Sequence, residues 1–461
     1  MSDIVCVSPV DGREFARKAA ATAAEIEKTL AAARKAQREW AKRPIAERAR
    51  LCSAAVDAML AMRAEIAPEL SWQMGRPIKY AGGELNGFEE RARYMISIAE
   101  SALAPVTPET KAGFKRYIRR DPVGLVLTIA PWNYPYLTSV NTVIPALMAG
   151  NAVVLKSAAQ TVLVGDRFQA AMDRAGLPAG LFSTLVLSHD DTSRLIASGA
   201  FDQVCFTGSV EGGKAIERAA AGTFSGVGLE LGGKDPAYVR ADADLAHAVE
   251  NLVDGSYFNS GQCCCGIERI YVDAKIYDKF VEGFADLTRQ YVLGDPLDQN
   301  TTLGPMAHRR LAATVRDHVD EATKKGARAL IDTRKFTKDA AGTPYVAPQL
   351  LVDVDHGMKV MMEETFGPVV GIMKVKDEDE AVRLMNDSPY GLTASIWTRD
   401  EEAAERIGAQ IETGTVFMNR CDYLDPGLAW TGVKDTGRGA TLSRIGYETL
   451  TRPKSFHLRE I

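Results

Sequence analysis

The 461-residue chain is expected to fold as an α/β protein with parallel sheets, from three features of its sequence. From Pro122 onward, short apolar runs such as VGLVLTIA and AVVLKS alternate with amphipathic stretches such as VGDRFQAAMDRAG, which is the pattern of βαβ units. A second series of the same kind runs from about residue 245 to 411. The first hundred residues carry helical rather than strand periodicity.

In chain order, TAAEIEKTLAAARKAQREWA (22–41) places Ile26, Leu30, Ala33 and Trp40 near helical spacing, and RARLCSAAVDAMLAMRAEI continues as a second amphipathic helix. The first hundred residues are therefore expected to be mostly helical. GFKRYIRR (113–120) and TRPKSFHL (451–458) alternate like strands and stand outside the βαβ series. Between them come VGLVLTIA, VIPALMAG and AVVLKS, a helix around VGDRFQAAMDRAG closed by Gly176, the run FDQVCFTGS, and a helix at GGKAIERAAAG. The second series reads LAHAVENLVDGSYF as helix, ERIYVDA as strand and KIYDKFVEGFADLTRQY as helix, with further helices at EDEAVRLMNDS and DEEAAERIGAQI. No 20–50-residue repeat and no low-complexity linker marks a domain border.

Composition narrows the class of partner. With 46% hydrophobic and 25% charged residues the chain has the composition of a folded protein with room for two or three cores. A formal net charge of -5 gives no basic field for a nucleic acid, and no run of like charge suggests a membrane-surface patch. A small neutral or anionic partner is the expectation. No run of 18 apolar residues is present, and MSDIVCVSPVDGREF lacks the features of a leader, so a cytoplasmic protein is expected. Seven cysteines without a secretory signal argue for reduced thiols rather than a disulfide framework.

Three of those cysteines are consecutive, Cys263, Cys264 and Cys265 in GQCCCGIER. Neighbouring thiols are not expected to converge on one ion, and only Cys421 and six dispersed histidines remain to complete a site, so no metal is expected. The remaining readings are small buried hydrophobes and a nucleophile, the latter requiring a lowered pKa or a nearby base. A dinucleotide would suit the alternating scaffold, yet no G-x-G-x-x-G occurs. The nearest motif is FTGSVEGG (206–213), where a strand ends at a glycine turn and a helix N-terminus is positioned to hold a pyrophosphate.

APWNYP (130–135), PALMAGNAVVLKSA (145–158), FTGSVEGG (206–213), LELGGKDP (229–236), FNSGQCCCG (258–266), EETFGPV (363–369) and GVKDTGRG (432–439) follow one another in the order and spacing of the aldehyde dehydrogenase superfamily. The chain resembles that superfamily over almost its full length. The resemblance implies a Rossmann-like cofactor domain (1–108 and 122–231), a catalytic α/β domain (232–435) and a small β arm (109–121 and 436–461) that joins a neighbouring subunit in a homodimer or homotetramer. It implies Cys264 as nucleophile with Cys263 and Cys265 as flanking walls, Glu230 as base, and Asn133 with the Cys264 backbone N–H as donors to an oxyanion. The presence of Glu230 implies water as acyl acceptor and a free carboxylic acid as product, since CoA-acylating relatives lack that glutamate.

For NAD or NADP the resemblance implies Trp132, Lys156, Gly208, Ser209, Gly213, Leu231, Glu364 and Phe366. Several positions depart from the family pattern. Ala159 stands where NAD-preferring members carry a ribose-binding glutamate, and Ser188-His189-Asp190-Asp191 replaces a Gly-Phe-Gly-Pro loop. Thr142 and Thr441 replace residues of a proton relay around the base. The aldehyde pocket is expected from Tyr134, Thr138, Asn141, Cys263, Cys265, the stretch CDYLDPGL (421–428) and Trp430. Asp422 or Asp425 is expected near the mouth or as a cap of its own loop. The competing readings are a non-catalytic paralogue of the same fold, and a thiol hydrolase pairing Cys264 with a histidine, for which no histidine stands in the motif.

Overall fold

A computed structural model describes residues 3–459; the outermost residues of the segments 1–108 and 436–461 lie outside the described range. Two parallel-dominated sheets organise the chain. The first has six strands in the order Gly437–Arg438, Gly226–Glu230, Gln203–Thr207, Leu125–Ile129, Ala152–Lys156 and Phe182–Thr184. All its pairings are parallel except that of Gly437–Arg438. The second has seven, in the order Arg328–Ala329, Gln349–Val352, Val369–Val375, Ile267–Asp273, Asp235–Val239, Thr393–Trp397 and Thr415–Met418, again with one antiparallel edge. Leu125–Ile129 and Ala152–Lys156 are buried at every position, as apolar strands covered by helices on both faces must be.

The expected helices form where the spacing placed them. Ala23–Trp40 starts at a capping box in which Thr22 Oγ1 accepts from the Glu25 N–H at 3.2 Å and Glu25 accepts from the Thr22 N–H at 2.7 Å. Trp40, at its end, is fully buried and donates its indole N–H to the Leu147 carbonyl at 2.8 Å. The helix Val164–Arg174 is followed by Gly176 in the left-handed region. The run 48–66 divides into Ile45–Leu60 and Arg63–Met74, and VIPALMAG is the last part of the helix Pro135–Ala149.

The N-terminal hundred residues are mostly helical as expected, after an opening antiparallel hairpin, Ile4–Val7 with Glu14–Lys18. Two expectations need correction. Residues 188–191 are not a loop: Ser188 caps a helix, His189–Ala197, by accepting from the Asp191 N–H at 3.0 Å. The segment 436–461 is not an arm throughout, because Gly437 and Arg438 pair with Glu230 and Leu229 inside the six-stranded sheet. The remainder, Thr451–Arg459, runs antiparallel to Phe114–Pro122 as a separate two-stranded ribbon, stacked by Tyr117 on Phe456 with ring centroids 4.6 Å apart. Among the described residues no helix is long and apolar enough to cross a membrane.

Candidate active site

Four adjacent strands of the six-stranded sheet end on the same side, and a cavity of about 670 Å³ opens there. Leu125–Ile129 leads into Ala130–Asn133, Ala152–Lys156 ends at Lys156, Gln203–Thr207 leads into Gly208 and Ser209, and Gly226–Glu230 ends at Glu230. All of these residues line the cavity, as do Trp132, Leu231, Glu364, Phe366, Thr138 and Cys264. The sequence motifs therefore meet in one place because parallel strands deliver their C-terminal turns to one edge. Of the expected aldehyde-pocket residues, Tyr134, Asn141, Cys263, Cys265 and Trp430 do not line this cavity, and of the expected cofactor residues Gly213 is the exception. It sits a turn inside the helix Val210–Ala220, where an added Cβ would lie 2.6 Å from Leu231 Cδ1, so it seats Leu231 rather than facing the cavity.

The outer part of the cavity has the features of a dinucleotide site. Ser209 caps the helix Val210–Ala220 by accepting from the Gly212 N–H at 3.2 Å, leaving a helix N-terminus at the cavity wall. Lys156 is 6% exposed with its ammonium near the Ser157 carbonyl, and burial lowers its pKa. Ser157 Oγ lines the cavity buried and without a partner, an unmet polar group of the kind a bound ligand satisfies. Asp191 is engaged by the Ser188 hydroxyl and by Arg194, while Ser188 and His189 supply the wall. Trp132 meets Phe366 edge to face at 5.6 Å. Glu364 accepts from the Gly233 N–H at 3.1 Å, and burial together with the Glu268 charge pushes it up to about 8. These residues fit NAD or NADP.

At the inner end stand Cys264, Glu230 and Asn133. The triplet curls through a turn closed by the Gly266 N–H donating to the Cys263 carbonyl at 3.2 Å, after Asn259 and Ser260, both in the left-handed region. That turn overturns the expectation that the thiols diverge, since the three sulfurs lie within 4.8 Å of one another. Cys263 and Cys265 face inward and each donates to Asp422 Oδ1 at 3.0 Å, whereas Cys264 reaches the cavity. Asp422 is thus beneath the thiols and not at the mouth, while Asp425 caps its own loop by accepting from the Gly427 N–H. Four acidic groups in one pocket cannot all ionise. Each neighbouring thiol has one proton to give, to Asp422 or to Cys264; turned to Cys264, Cys263 and Cys265 hold its thiol well below the usual range, and Cys263, Cys265 and Asp422 are pushed up.

Burial raises the Glu230 pKa, and two hydroxyls hold the carboxylate in place: Thr441 Oγ1 donates at 2.5 Å and Thr207 Oγ1 at 3.0 Å. Thr441 therefore touches the base directly, at a position where the family pattern has a relay residue. Asn133, 5% exposed, donates its side-chain amide to the Gln262 carbonyl at 3.2 Å, and the Cys264 N–H has no acceptor among the described residues. Of the expected aldehyde-pocket residues, Tyr134 has its phenol pushed well above the usual range, by burial first and then by the charges of Cys263 and Asp422. Trp430 is buried and pairs its backbone with Thr441 at 2.8 and 2.9 Å. Asn141 is buried and accepts from Arg91 at 3.2 Å.

Two buried ion pairs that local sequence does not announce fix these parts. Arg76 pairs with Glu84 at 2.5 Å, donates to the Asn133 carbonyl and to Asn259 Oδ1, and stacks over the Tyr134 ring at 4.4 Å. Glu84 in turn accepts from the Tyr136 and Leu137 N–H groups at the start of the helix Pro135–Ala149. Lys234 pairs with Glu268 at 2.5 Å, and Glu268 accepts from the Thr365 and Phe366 N–H groups, holding Phe366 in a left-handed conformation at the cavity. Arg91, also buried, favours the charge on Glu230.

The model of the aldehyde dehydrogenase family matches residues 2–456. Geranial dehydrogenase from Castellaniella defragrans is 35% identical over 438 residues, covering 94% of this chain and 91% of the relative. Among solved structures, an NAD-dependent aldehyde dehydrogenase from Sinorhizobium meliloti is 34% identical with a TM-score of 0.93, covering 99% of this chain and 92% of its own. Succinic semialdehyde dehydrogenase from Streptococcus pyogenes, in complex with NADP+, is 28% identical with a TM-score of 0.94, covering 99% of this chain and 100% of its own. On fold, site and these likenesses together, the chain belongs to the aldehyde dehydrogenase family.

Proposed function

We propose that Cys264, Glu230 and Asn133 carry out the reaction of this NAD(P)-dependent aldehyde dehydrogenase, the oxidation of an aldehyde to a carboxylic acid. The observation that carries the reading is their meeting at the inner end of a cavity whose outer part fits a dinucleotide. The Cys264 thiolate adds to the aldehyde carbon, and the resulting oxyanion takes hydrogen bonds from the Cys264 N–H and the Asn133 amide, which Gln262 keeps oriented. Nicotinamide, when bound, supplies the hydride acceptor. Re-forming the carbonyl leaves a thioester on Cys264. Glu230, aligned by Thr441 and Thr207, takes a proton from water, the hydroxide adds to the thioester carbon, and Cys264 leaves as thiolate with the acid released. Absorbance of reduced cofactor across a panel of aldehydes, with NAD+ and NADP+, tests the reading; no turnover with any pair would refute it.

The segments 1–108 with 122–231, 232–435, and 109–121 with the ribbon Thr451–Arg459 are proposed as the cofactor domain, catalytic domain and arm. Tyr134, Asn141 and Trp430 are proposed to line the aldehyde pocket, with the two aromatic rings suiting an aromatic or aliphatic aldehyde, and Cys263 and Cys265, turned to Asp422, to back it. The ribbon Phe114–Pro122 with Thr451–Arg459 has only two strands and so leaves edges to cover. A homodimer or homotetramer is expected by sedimentation, and a concentration-independent monomer would contradict the arm assignment.

Cofactor choice is proposed to be permissive. Ala159 removes a carboxylate that would repel a 2′-phosphate, and at an effective dielectric near 20 two charges about 4 Å apart cost on the order of 4 kcal/mol. Asp191 does not replace that acid, because Ser188 and Arg194 occupy it, while Lys156 and the unpartnered Ser157 hydroxyl are available to a phosphate. NADP+ is expected to be used comparably with NAD+, and Ala159→Glu to shift kcat/KM towards NAD+ by about tenfold or more. A wild type that discriminates a thousandfold against NADP+ would refute this.

A further inference from the structure

Cys263, Cys265 and Asp422 form no bond to the aldehyde in the oxidation, yet they converge on the nucleophile. Cys263 Sγ and Cys265 Sγ are 3.6 Å apart, each is 3.0 Å from Asp422 Oδ1, and Cys264 Sγ lies within 4.8 Å of both other sulfurs. A tetrahedral zinc ion with Zn–S bonds of about 2.3 Å places its sulfurs about 3.8 Å apart. The Cys263–Cys265 spacing is already that of a ligand pair, and Cys264 needs to close by at most about 1 Å. A carboxylate oxygen with a Zn–O bond near 2.1 Å sits about 3.6 Å from such sulfurs, so Asp422 needs to withdraw from Cys263 and Cys265 by roughly half an ångström, as fourth ligand to a group in which the three sulfurs already lie within 4.8 Å.

We propose that Cys263, Cys264, Cys265 and Asp422 form a binding site for a thiophilic d¹⁰ cation, read here with zinc(II), that reversibly occupies the nucleophile. The donor set is three thiols and a carboxylate, which is zinc chemistry rather than that of a hard cation. Cys264 is not fully buried and lines the cavity, so an ion reaches the site from the cavity past Cys264. Binding exchanges protons for metal: the protons of Cys263 and Cys265, and any on Cys264 or Asp422, pass to buffer, no electron moves, and affinity therefore rises with pH. The resulting anionic complex lies within the field of Arg91, whose charge acts on Cys264 and Cys265. The tight turn of the triplet makes the site, since residues in an extended strand would send alternate side chains to opposite faces and split the sulfurs.

The proposal does not depend on the catalytic role of Cys264, because binding is read directly. Metal-free full-length protein is titrated with zinc(II) in competition with a chromophoric chelator. One zinc per chain is expected. Cys263→Ser with Cys265→Ser is expected to weaken binding by more than about 100-fold, beyond the loss typical of an outer-shell group, and Asp422→Asn by about tenfold. Cobalt(II) in place of zinc is expected to show sulfur-to-metal charge-transfer absorbance that falls as thiols are removed. Zinc is also expected to protect Cys264 from iodoacetamide in the wild type. Each single variant is measured beside the double variant, with NAD+ binding as the check on folding. No zinc bound by the wild type, or a double variant that binds within tenfold of it, would overturn the site.

Discussion

Cys264→Ala is expected to lower kcat for aldehyde oxidation to below about 10⁻⁴ of wild type while NAD(P)+ binding, followed by fluorescence quenching, stays within a few-fold. The loss is that large because no other group at the inner end of the cavity can form the covalent intermediate. Cys263 and Cys265 point to Asp422 and are held protonated, so their alanine variants are expected to change activity only modestly. The thiol of Cys264 is pulled down to about 6, where a free thiol titrates near 8.5. A lowered pKa means the thiolate is present at all pH above it, so alkylation of Cys264 by iodoacetamide is expected to stay fast down to about pH 6 and fall below. An essential Cys263 with a dispensable Cys264 would reverse the assignment.

Glu230→Gln is expected to slow steady-state turnover by about 10²–10⁴-fold, the range for loss of a general base, while leaving a burst of reduced cofactor close to one equivalent per site. The two half-reactions part because the glutamine keeps contacts to Thr441 and Thr207 but cannot take a proton from water. In the wild type protonation of the same carboxylate adds to the acid limb of the pH profile, beside protonation of the Cys264 thiolate. Burial raises its pKa, so its protonated, inactive form appears as pH falls at a value above that of an ordinary glutamate near 4.3. Stopped-flow absorbance separates the phases, and wild-type-like turnover in Glu230→Gln would remove the proposed role.

The inner site was legible in sequence to the extent that its residues lie in contiguous motifs. Glu230 and Lys156 end strands and Ser209 opens a helix, while Asn133 and Cys264 lie in the short turns before the helix Pro135–Ala149 and the strand Ile267–Asp273, and local pattern finds such turns. What pattern could not find is what holds them. Thr441 reaches Glu230 across 211 residues, Arg76 reaches Asn259 across 183, and Glu268 reaches Phe366 across 98. Such pairings follow from the topology of two sheets and leave no mark in a local window. The convergence of Cys263, Cys264 and Cys265 was missed for a related reason: it comes with a turn closed by the Gly266 N–H on the Cys263 carbonyl, which follows left-handed Asn259 and Ser260, conformations that a non-glycine residue adopts only where its surroundings hold it there. The helix at His189 carried a readable signal, Ser188 three residues before Asp191, which the comparison with a loop obscured.

One measurement bears most directly on the central claim, that the aldehyde is oxidised as a thioester on Cys264 which Glu230 then clears. Glu230→Gln is mixed with one equivalent each of NAD(P)+ and a turned-over aldehyde, quenched in acid, digested and mapped by mass spectrometry. The account predicts an added acyl mass, equal to the aldehyde less one hydrogen and replacing the thiol proton, on Cys264 and on neither neighbour. An unmodified Cys264, or an acyl group on Cys263 or Cys265, would contradict it.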